Sequence, residues 1–274
     1  MVSKIIKHIN IFYRRFNEKK ELEKAKIIDN KSLNKVLESV IKVKYSKFNS
    51  KENNFFKECE LYRKSLLNND RMISYDVFGI NKMEMVSTIC KNAASKIKFC
   101  KLLYSLIDKL NFKSVLEIGT NLGVSGTYML KALKKQKDPK FISMEGVPGL
   151  CEISFKQFSS IIESKKVDVI EGLYDETFPV LIKQNHLFDF VFIDGNHREK
   201  PTLNYFDLIK KNFTKNSVLV FDDINWSKGM INAWNKIKND KDVNYSIDLY
   251  QQGIVIIDKN DPNRNINFNL HLSY

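Results

Sequence analysis

Two apolar runs end in clusters of side chains able to do chemistry: Phe192-Ile193-Asp194-Gly195-Asn196-His197 and Val220-Phe221-Asp222-Asp223-Ile224-Asn225-Trp226. If these runs are neighbouring strands of a parallel sheet, their carboxyl ends open into one crevice, where open α/β sheets bind ligands. Three converging carboxylates repel one another unless something cationic sits between them. A hard divalent ion such as Mg²⁺ meets that need with carboxylate, water and substrate oxygens, so Asp194, Asp222 and Asp223 are candidate metal ligands. Asp223 has a second reading, as a cap or turn residue before the helix near Ser227. His197 follows Asp194 by three positions; an imidazole titrates near neutrality and can take the proton of a hydroxyl. A plain loop histidine is the alternative.

A third segment carries a turn. Val115-Leu116-Glu117-Ile118-Gly119-Thr120-Asn121-Leu122-Gly123-Val124-Ser125 reads as a strand, a glycine turn and a helix start. Gly119 permits the sharp turn, and Gly123 would let a ligand approach the helix N-terminus. The spacing, Glu-x-Gly-x-x-x-Gly, is neither the dinucleotide fingerprint nor a P-loop. An acidic residue ending the strand disfavours a pyrophosphate and suits a cationic ligand. About twenty-five residues on, Ser143-Met144-Glu145-Gly146 ends a second run, where a carboxylate can accept both hydroxyls of a ribose. A third ends Ile170-Glu171-Gly172-Leu173, whose backbone is placed to line a base.

The elements that must position these residues follow from periodicity. After residue 112, short apolar runs (114–118, 141–144, 167–170, 188–193, 217–221) alternate with helical stretches near 124–136, 149–164, 175–185, 200–212 and 227–239. That alternation predicts a doubly wound α/β fold with a parallel sheet. The segments 243–250 and 253–258 read as an antiparallel hairpin, with a further strand around Ile266, Phe268 and Leu270. Up to residue 110 the pattern is helical: Ile5, Ile9, Phe12 and Phe16 form one apolar stripe, with Lys4, Lys7, Arg14 and Arg15 elsewhere around the helix. Helical periodicity continues near 32–48, 53–68 and 84–110.

These segments resemble, over roughly residues 112–260, the Rossmann-like class I S-adenosylmethionine-dependent methyltransferases. The Asp194–His197 and Val220–Trp226 segments look more narrowly like the metal-dependent O-methyltransferase group of catechol, caffeoyl and macrocin-sugar type. Leu61–Leu67 and Asp76–Gly79 are similar to bacterial members with no assigned activity. The resemblance implies S-adenosylmethionine as cofactor, with a divalent cation, Mg²⁺ or another, at Asp194, Asp222 and Asp223. Cofactor contacts would come from Glu117, Gly119, Thr120, Asn121, Gly123, Ser125, Glu145, Gly146, Gly172, Leu173 and Asp194. His197 and Asp194 would be the catalytic residues, acting on a small hydroxylated acceptor. Asp223 stands where the family often has Asn, which adds a charge. Arg198 and Lys200 are nearby cations suited to an acidic acceptor group.

Composition bounds the alternatives. The 274 residues carry a formal net charge of +13. Residues 1–110 hold 24 Lys and Arg against 12 Asp and Glu, whereas residues 111–274 hold 21 against 20. A basic helical N-terminal segment (1–110) is thus expected beside a near-neutral methyltransferase domain (111–274). It would act as a lid or a homodimer element, and removing residues 1–70 would spare cofactor binding but abolish turnover. The same charge would serve a nucleic-acid methyltransferase as a docking arm, but the Asn/Asp-Pro-Pro-aromatic motif of amino-methylating enzymes is missing after Ile193, which makes nucleic acid an improbable substrate. A non-enzymatic binding protein on this scaffold, touching a membrane surface through the Ile5/Phe12 face, is the other alternative. No apolar stretch has the length of a transmembrane helix or the form of a signal peptide. Cys59, Cys90, Cys100 and Cys151 have no metal-type spacing, so free thiols in a reducing cytoplasm are expected.

Overall fold

The computed structural model describes residues 2–272, with side chains from residue 8 onward. The N-terminal part comprises α1 (Val2–Lys26), α2 (Lys31–Lys44), α3 (Ser50–Leu67), β1 (Met72–Ser74), β2 (Met83–Met85), α4 (Val86–Ala93) and α5 (Ile97–Leu110). Local chemistry sets its boundaries. Asn30 caps α2 by accepting the Leu33 amide, and Asn49 with Glu52 forms a reciprocal capping box on α3, satisfying amide groups that a helix start leaves open. β1 and β2 make a small antiparallel ribbon. Helical periodicity shows no sign of it, because strands of three residues are too short for alternation to show.

The alternating part follows: β3 (Ser114–Ile118), α6 (Val124–Leu133), β4 (Lys140–Glu145), α7 (Pro148–Ser159), β5 (Val167–Glu171), α8 (Tyr174–Lys183), β6 (Phe188–Ile193), α9 (Glu199–Ile209), β7 (Phe213–Phe221), α10 (Lys228–Ile237), β8 (Tyr245–Asp248), β9 (Gly253–Asp258) and β10 (Ile266–Asn269). The eight-stranded sheet runs β10-β8-β9-β7-β6-β3-β4-β5. Strands β3 to β7 are mutually parallel, and β9 is antiparallel to both β7 and β8. The expected doubly wound α/β fold ending in an antiparallel hairpin is therefore present. β10 pairs parallel to β8.

Period-two alternation sorts the central strands between two cores. Phe190, Phe192, Val218 and Val220 face one side, where helices α2, α5 and α6 supply Leu33, Val40, Leu103 and Met129. Val191, Ile193, Leu219 and Phe221 face the other, against Phe178, Tyr205 and Trp234. The first core is continuous from α2 to the sheet, so the N-terminal helices are built into the wall of the α/β unit.

On α1, Ile9, Phe12 and Phe16 are exposed; the side chains of Lys4, Ile5 and Lys7 lie outside the described residues. All four cysteines are buried free thiols. No helix among the described residues is long and apolar enough to cross a membrane.

Candidate active site

The strand order places the ends of β3, β6 and β7 side by side, and the loops leaving them build one site. Gly119 turns the chain with φ +102°, and a Cβ there would stand 2.3 Å from the Asp194 carbonyl oxygen. The glycine is therefore required by the β6 loop crossing beneath it. The amides of Gly119 and Thr120 both reach the Met144 carbonyl at 3.1 Å, and the Asp194 amide reaches that of Ile118 at 2.8 Å. The three turns are thus tied to one another before any ligand is considered.

A cavity of about 650 Å³ opens over these turns, within the roughly 300–1,000 Å³ of small-molecule sites. Of the expected cofactor contacts, Gly119, Asn121, Glu145, Gly146, Leu173 and Asp194 line it. Thr120 and Ser125 line a small cleft that adjoins it and shares Gly119, Asn121 and Asp194. Glu117, Gly123 and Gly172 line neither. Glu117 points under the loop, accepting hydrogen bonds from Ser125 Oγ at 2.5 Å and Ser143 Oγ at 2.7 Å. It braces the turn instead of meeting the ligand, and burial pushes its carboxyl up to about 7. A Cβ on Gly123 would strike the Phe158 ring and Ser154 at 2.9 Å; that glycine makes room for α7, not for a ligand. Gly172, at φ +135°, lets the chain turn so that Leu173 reaches the cavity.

Glu145 is held ready. Its carboxylate accepts the amides of Asn121 (2.8 Å) and Val147 (3.0 Å), which fixes the side chain and leaves lone pairs for a ligand. Burial still raises its proton affinity. Around it the wall is acidic: Asp175, Glu176 and Asp194 join Glu145, against Arg198. That balance suits a ligand carrying positive charge.

Asp194 and His197 meet. His197 Nε2 lies 3.5 Å from Asp194 Oδ1, while Asp194 Oδ2 accepts a hydrogen bond from Ser95 Oγ at 3.3 Å. Burial, reinforced by the charges of Asp222 and Asp223, lifts the Asp194 carboxyl well above the usual carboxylate range. Burial moves His197 the other way, lowering its pKa against the opposing pull of Asp223. Asp222 is buried and pushed up to about 7 by that burial and by Asp223. Its Oδ1 has no hydrogen-bond partner, while the nearby Gln252 side chain favours its ionised form.

The orphaned oxygen and the mutual repulsion are what a hard cation would relieve. Among the described residues, no three His, Cys, Asp or Glu side chains are already placed around a common point for a metal ion. Asp194, Asp222 and Asp223 approach one another, and their mutual repulsion raises Asp194 and Asp222. Both Asp194 oxygens are turned to Ser95 and His197, and Asp223 sits in a left-handed turn at φ +52°. Asp223 is not the helix cap either, since Ser227 Oγ accepts the Met230 amide of α10.

Sequence reasoning missed the part of the wall that comes from outside the glycine and carboxylate motifs. Phe78 and Ala93 line the cavity from the N-terminal part, and Tyr174 and Tyr205 from α8 and α9. Their signal is tertiary, with no spacing to reveal it. Lys200 is exposed and outside the lining. Trp234 is core, donating from Nε1 to Asp248 Oδ2 at 3.0 Å, and Trp226 is 72% exposed.

Comparison with known proteins agrees with this geometry. Residues 116–224 match a family described as a methyltransferase domain. An uncharacterised protein of Acanthamoeba polyphaga mimivirus is 33% identical over 135 residues, 45% of this chain; the match spans 58% of that relative's length. Among solved structures, the O-methyltransferase TomG of Streptomyces achromogenes, determined with S-adenosylmethionine, superposes with TM-score 0.53 at 22% identity, covering 61% of this chain and 82% of that one. An O-methyltransferase of Bacillus cereus, in complex with S-adenosylhomocysteine, gives 0.52 at 20%, covering 61% and 84%. A Podospora anserina methyltransferase gives 0.53 at 15%, covering 77% and 96%. The glycine turn, Glu145 and the central strands fall inside or beside the segment that matches the methyltransferase-domain model, and the fold is the one these solved structures share.

Proposed function

We propose that this protein binds S-adenosylmethionine in the cavity over Gly119 and methylates a hydroxyl oxygen of a small acceptor. The observation that carries the reading is the His197–Asp194 pair, 3.5 Å apart, on the wall of the cavity that Gly119 and Glu145 also line. The bound cofactor supplies an electrophilic methyl group on a sulfonium. Glu145, fixed by two backbone amides, offers its remaining lone pairs to a ribose diol. The acidic wall favours a positively charged ligand, and Leu173 and Phe78 give the cavity apolar sides. With His197 Nε2 turned to Asp194, Nδ1 is the nitrogen that takes the acceptor's hydroxyl proton. Positive charge bound beside Asp194 lowers its pKa and releases its proton to solvent before transfer, so the imidazolium then formed faces a carboxylate. Arg198, on the same wall, suits an acceptor bearing an acidic group.

The test is a thermal melt followed by turnover. S-adenosylhomocysteine at a hundred times its Kd should stabilise the protein by about 2.7 kcal/mol. His197→Ala should keep that shift and lower kcat by about 10²–10⁴-fold. The acid limb of the wild-type rate should lie below the ordinary imidazole value of 6.5, because burial lowers the His197 pKa. Proton transfer through His197 persists in EDTA. A Mg²⁺ requirement would instead give Asp194, Asp222 and Asp223 the ligand role their chemistry suits, and a folded sample that ignores the homocysteine product would sink the whole reading.

A further inference from the structure

Helix α1 has one face packed and one face bare. Ile11 and Ala25 are buried, and Arg14 between them pairs with Asp248 Oδ1 at 2.9 Å and lies over the Tyr250 ring. On the opposite face Ile9, Phe12, Tyr13 and Phe16 are 63%, 71%, 65% and 79% exposed. Four large apolar side chains in two turns are costly to leave in water, at about 1.5–3 kcal/mol for each one that could be buried. Lys19 and Lys20 extend this face and are exposed.

The anchors of α1 fix where this face lies. Arg14 meets Asp248, level with Phe221 at the carboxyl end of β7. Further along, Glu21 accepts the Asn269 amide and Lys24 reaches the Asn267 carbonyl, two residues inward on β10. The helix therefore enters at the end of the sheet that carries the cavity, and its first turns lead away from the sheet there. Exposed Trp226 is at the same end, next to Asn225, whose amide donates to the Tyr250 carbonyl at 2.6 Å.

We propose that the Ile9–Phe12–Tyr13–Phe16 face of α1 docks on an anionic lipid surface, with Trp226 as a second contact. Charge selects this occupant. The protein carries a formal net charge of +13, and Lys19 and Lys20 stand exposed beside the apolar side chains, with Glu23 4.0 Å from Lys19; aromatic side chains flanked by lysines are the composition of an interfacial helix. A second copy of the chain would set the same excess of positive charge against itself. The docking stands apart from the methyl-transfer reading and is tested without turnover.

The experiment is co-sedimentation of the full chain with vesicles of phosphatidylcholine, with and without phosphatidylglycerol. Wild type should bind the anionic vesicles, release with added salt, and show a blue shift of Trp226 fluorescence. Phe12→Glu and Phe16→Glu should each weaken binding by about tenfold or more, and the Lys19→Glu/Lys20→Glu pair should weaken it while leaving the apolar side chains in place. All variants should melt as wild type does, since the altered side chains are exposed. Absence of binding to anionic vesicles overturns the proposal. So does equal binding to neutral ones, or a wild-type dimer that Phe16→Glu converts to monomer without any vesicle binding.

Discussion

Glu117 shows how packing gives a strand-end carboxyl its partners within the chain. Its position after a strand and before a glycine turn marks it as part of a ligand site, yet its carboxyl serves Ser125 and Ser143 beneath the turn. The consequence is a pH dependence of stability. Its folded pKa of about 7 lies above the ordinary value of 4.5, so the folded protein retains a proton that the unfolded chain releases. Stability from this group is complete below 4.5 and is lost as the pH rises through about 7. Glu117→Gln should leave stability unchanged at the acid end and raise it by roughly 1–3 kcal/mol above the window, read as urea midpoints of the ligand-free protein. Unchanged slopes would mean that the carboxyl is not held uncharged. The amide can still serve both serines by reversing one hydrogen bond.

At the scale of elements, the site is a set of turns held by their neighbours. The β3–α6 turn is crossed by the β6 loop and held from outside by Tyr62 on α3, whose hydroxyl donates to the Leu122 carbonyl at 2.6 Å. Arg63 continues the support, donating to the Ser95 carbonyl at 2.8 Å while Ser95 holds Asp194. Glycine at 119 is required by contact as well as by backbone angle, and two substitutions separate these causes. Gly79 also has a positive φ, +70°, but a Cβ there meets nothing within 4 Å, so Gly79→Ala should cost about 1–2 kcal/mol. Gly119→Ala adds a collision with backbone at 2.3 Å and should cost more than about 3 kcal/mol or displace Asp194 and abolish cofactor binding. Equal losses at the two sites, measured by denaturant titration, would show that the β6 loop yields.

For the molecule as a whole, the basic N-terminal part is structural as well as peripheral. One core joins α2, α5 and α6 to the sheet, and Phe78 and Ala93 reach the cavity wall from the same part. Several of its bases meet acids: Lys42 pairs with Glu52 at 2.6 Å, Arg63 with Glu60 at 3.1 Å, and Lys44 with Glu18. Removing residues 1–70 would strip Leu33, Val36 and Val40 from the face of α5. The truncated chain should lose its cooperative melt and its stabilisation by S-adenosylhomocysteine, in contrast to the expectation that it keeps cofactor binding and loses only turnover. A truncated protein that still binds the ligand would restore the lid.

The central strands, the glycine turn and the Glu145, Asp194 and His197 positions were legible because they depend on local chemistry: alternation, turn residues and polar groups at strand ends. Strand limits were less so at β7, which begins at Phe213 instead of near Ser217, because its first residues pair beyond a register shift against β6. Gly123 and Glu117 looked like ligand contacts for the same local reason, and only the packing of Phe158 and the two serines gave them other work. Whether Asp194, Asp222 and Asp223 form a metal set was likewise beyond sequence, since ligation depends on where side chains turn, and Ser95 and His197 turn Asp194. Residue types and spacing determined the fold and the chemistry available at the strand ends. Tertiary structure decided which of those groups meet, because contacts across scores of residues, such as Ser95 with Asp194 or Tyr62 with Leu122, leave no periodic trace in the chain.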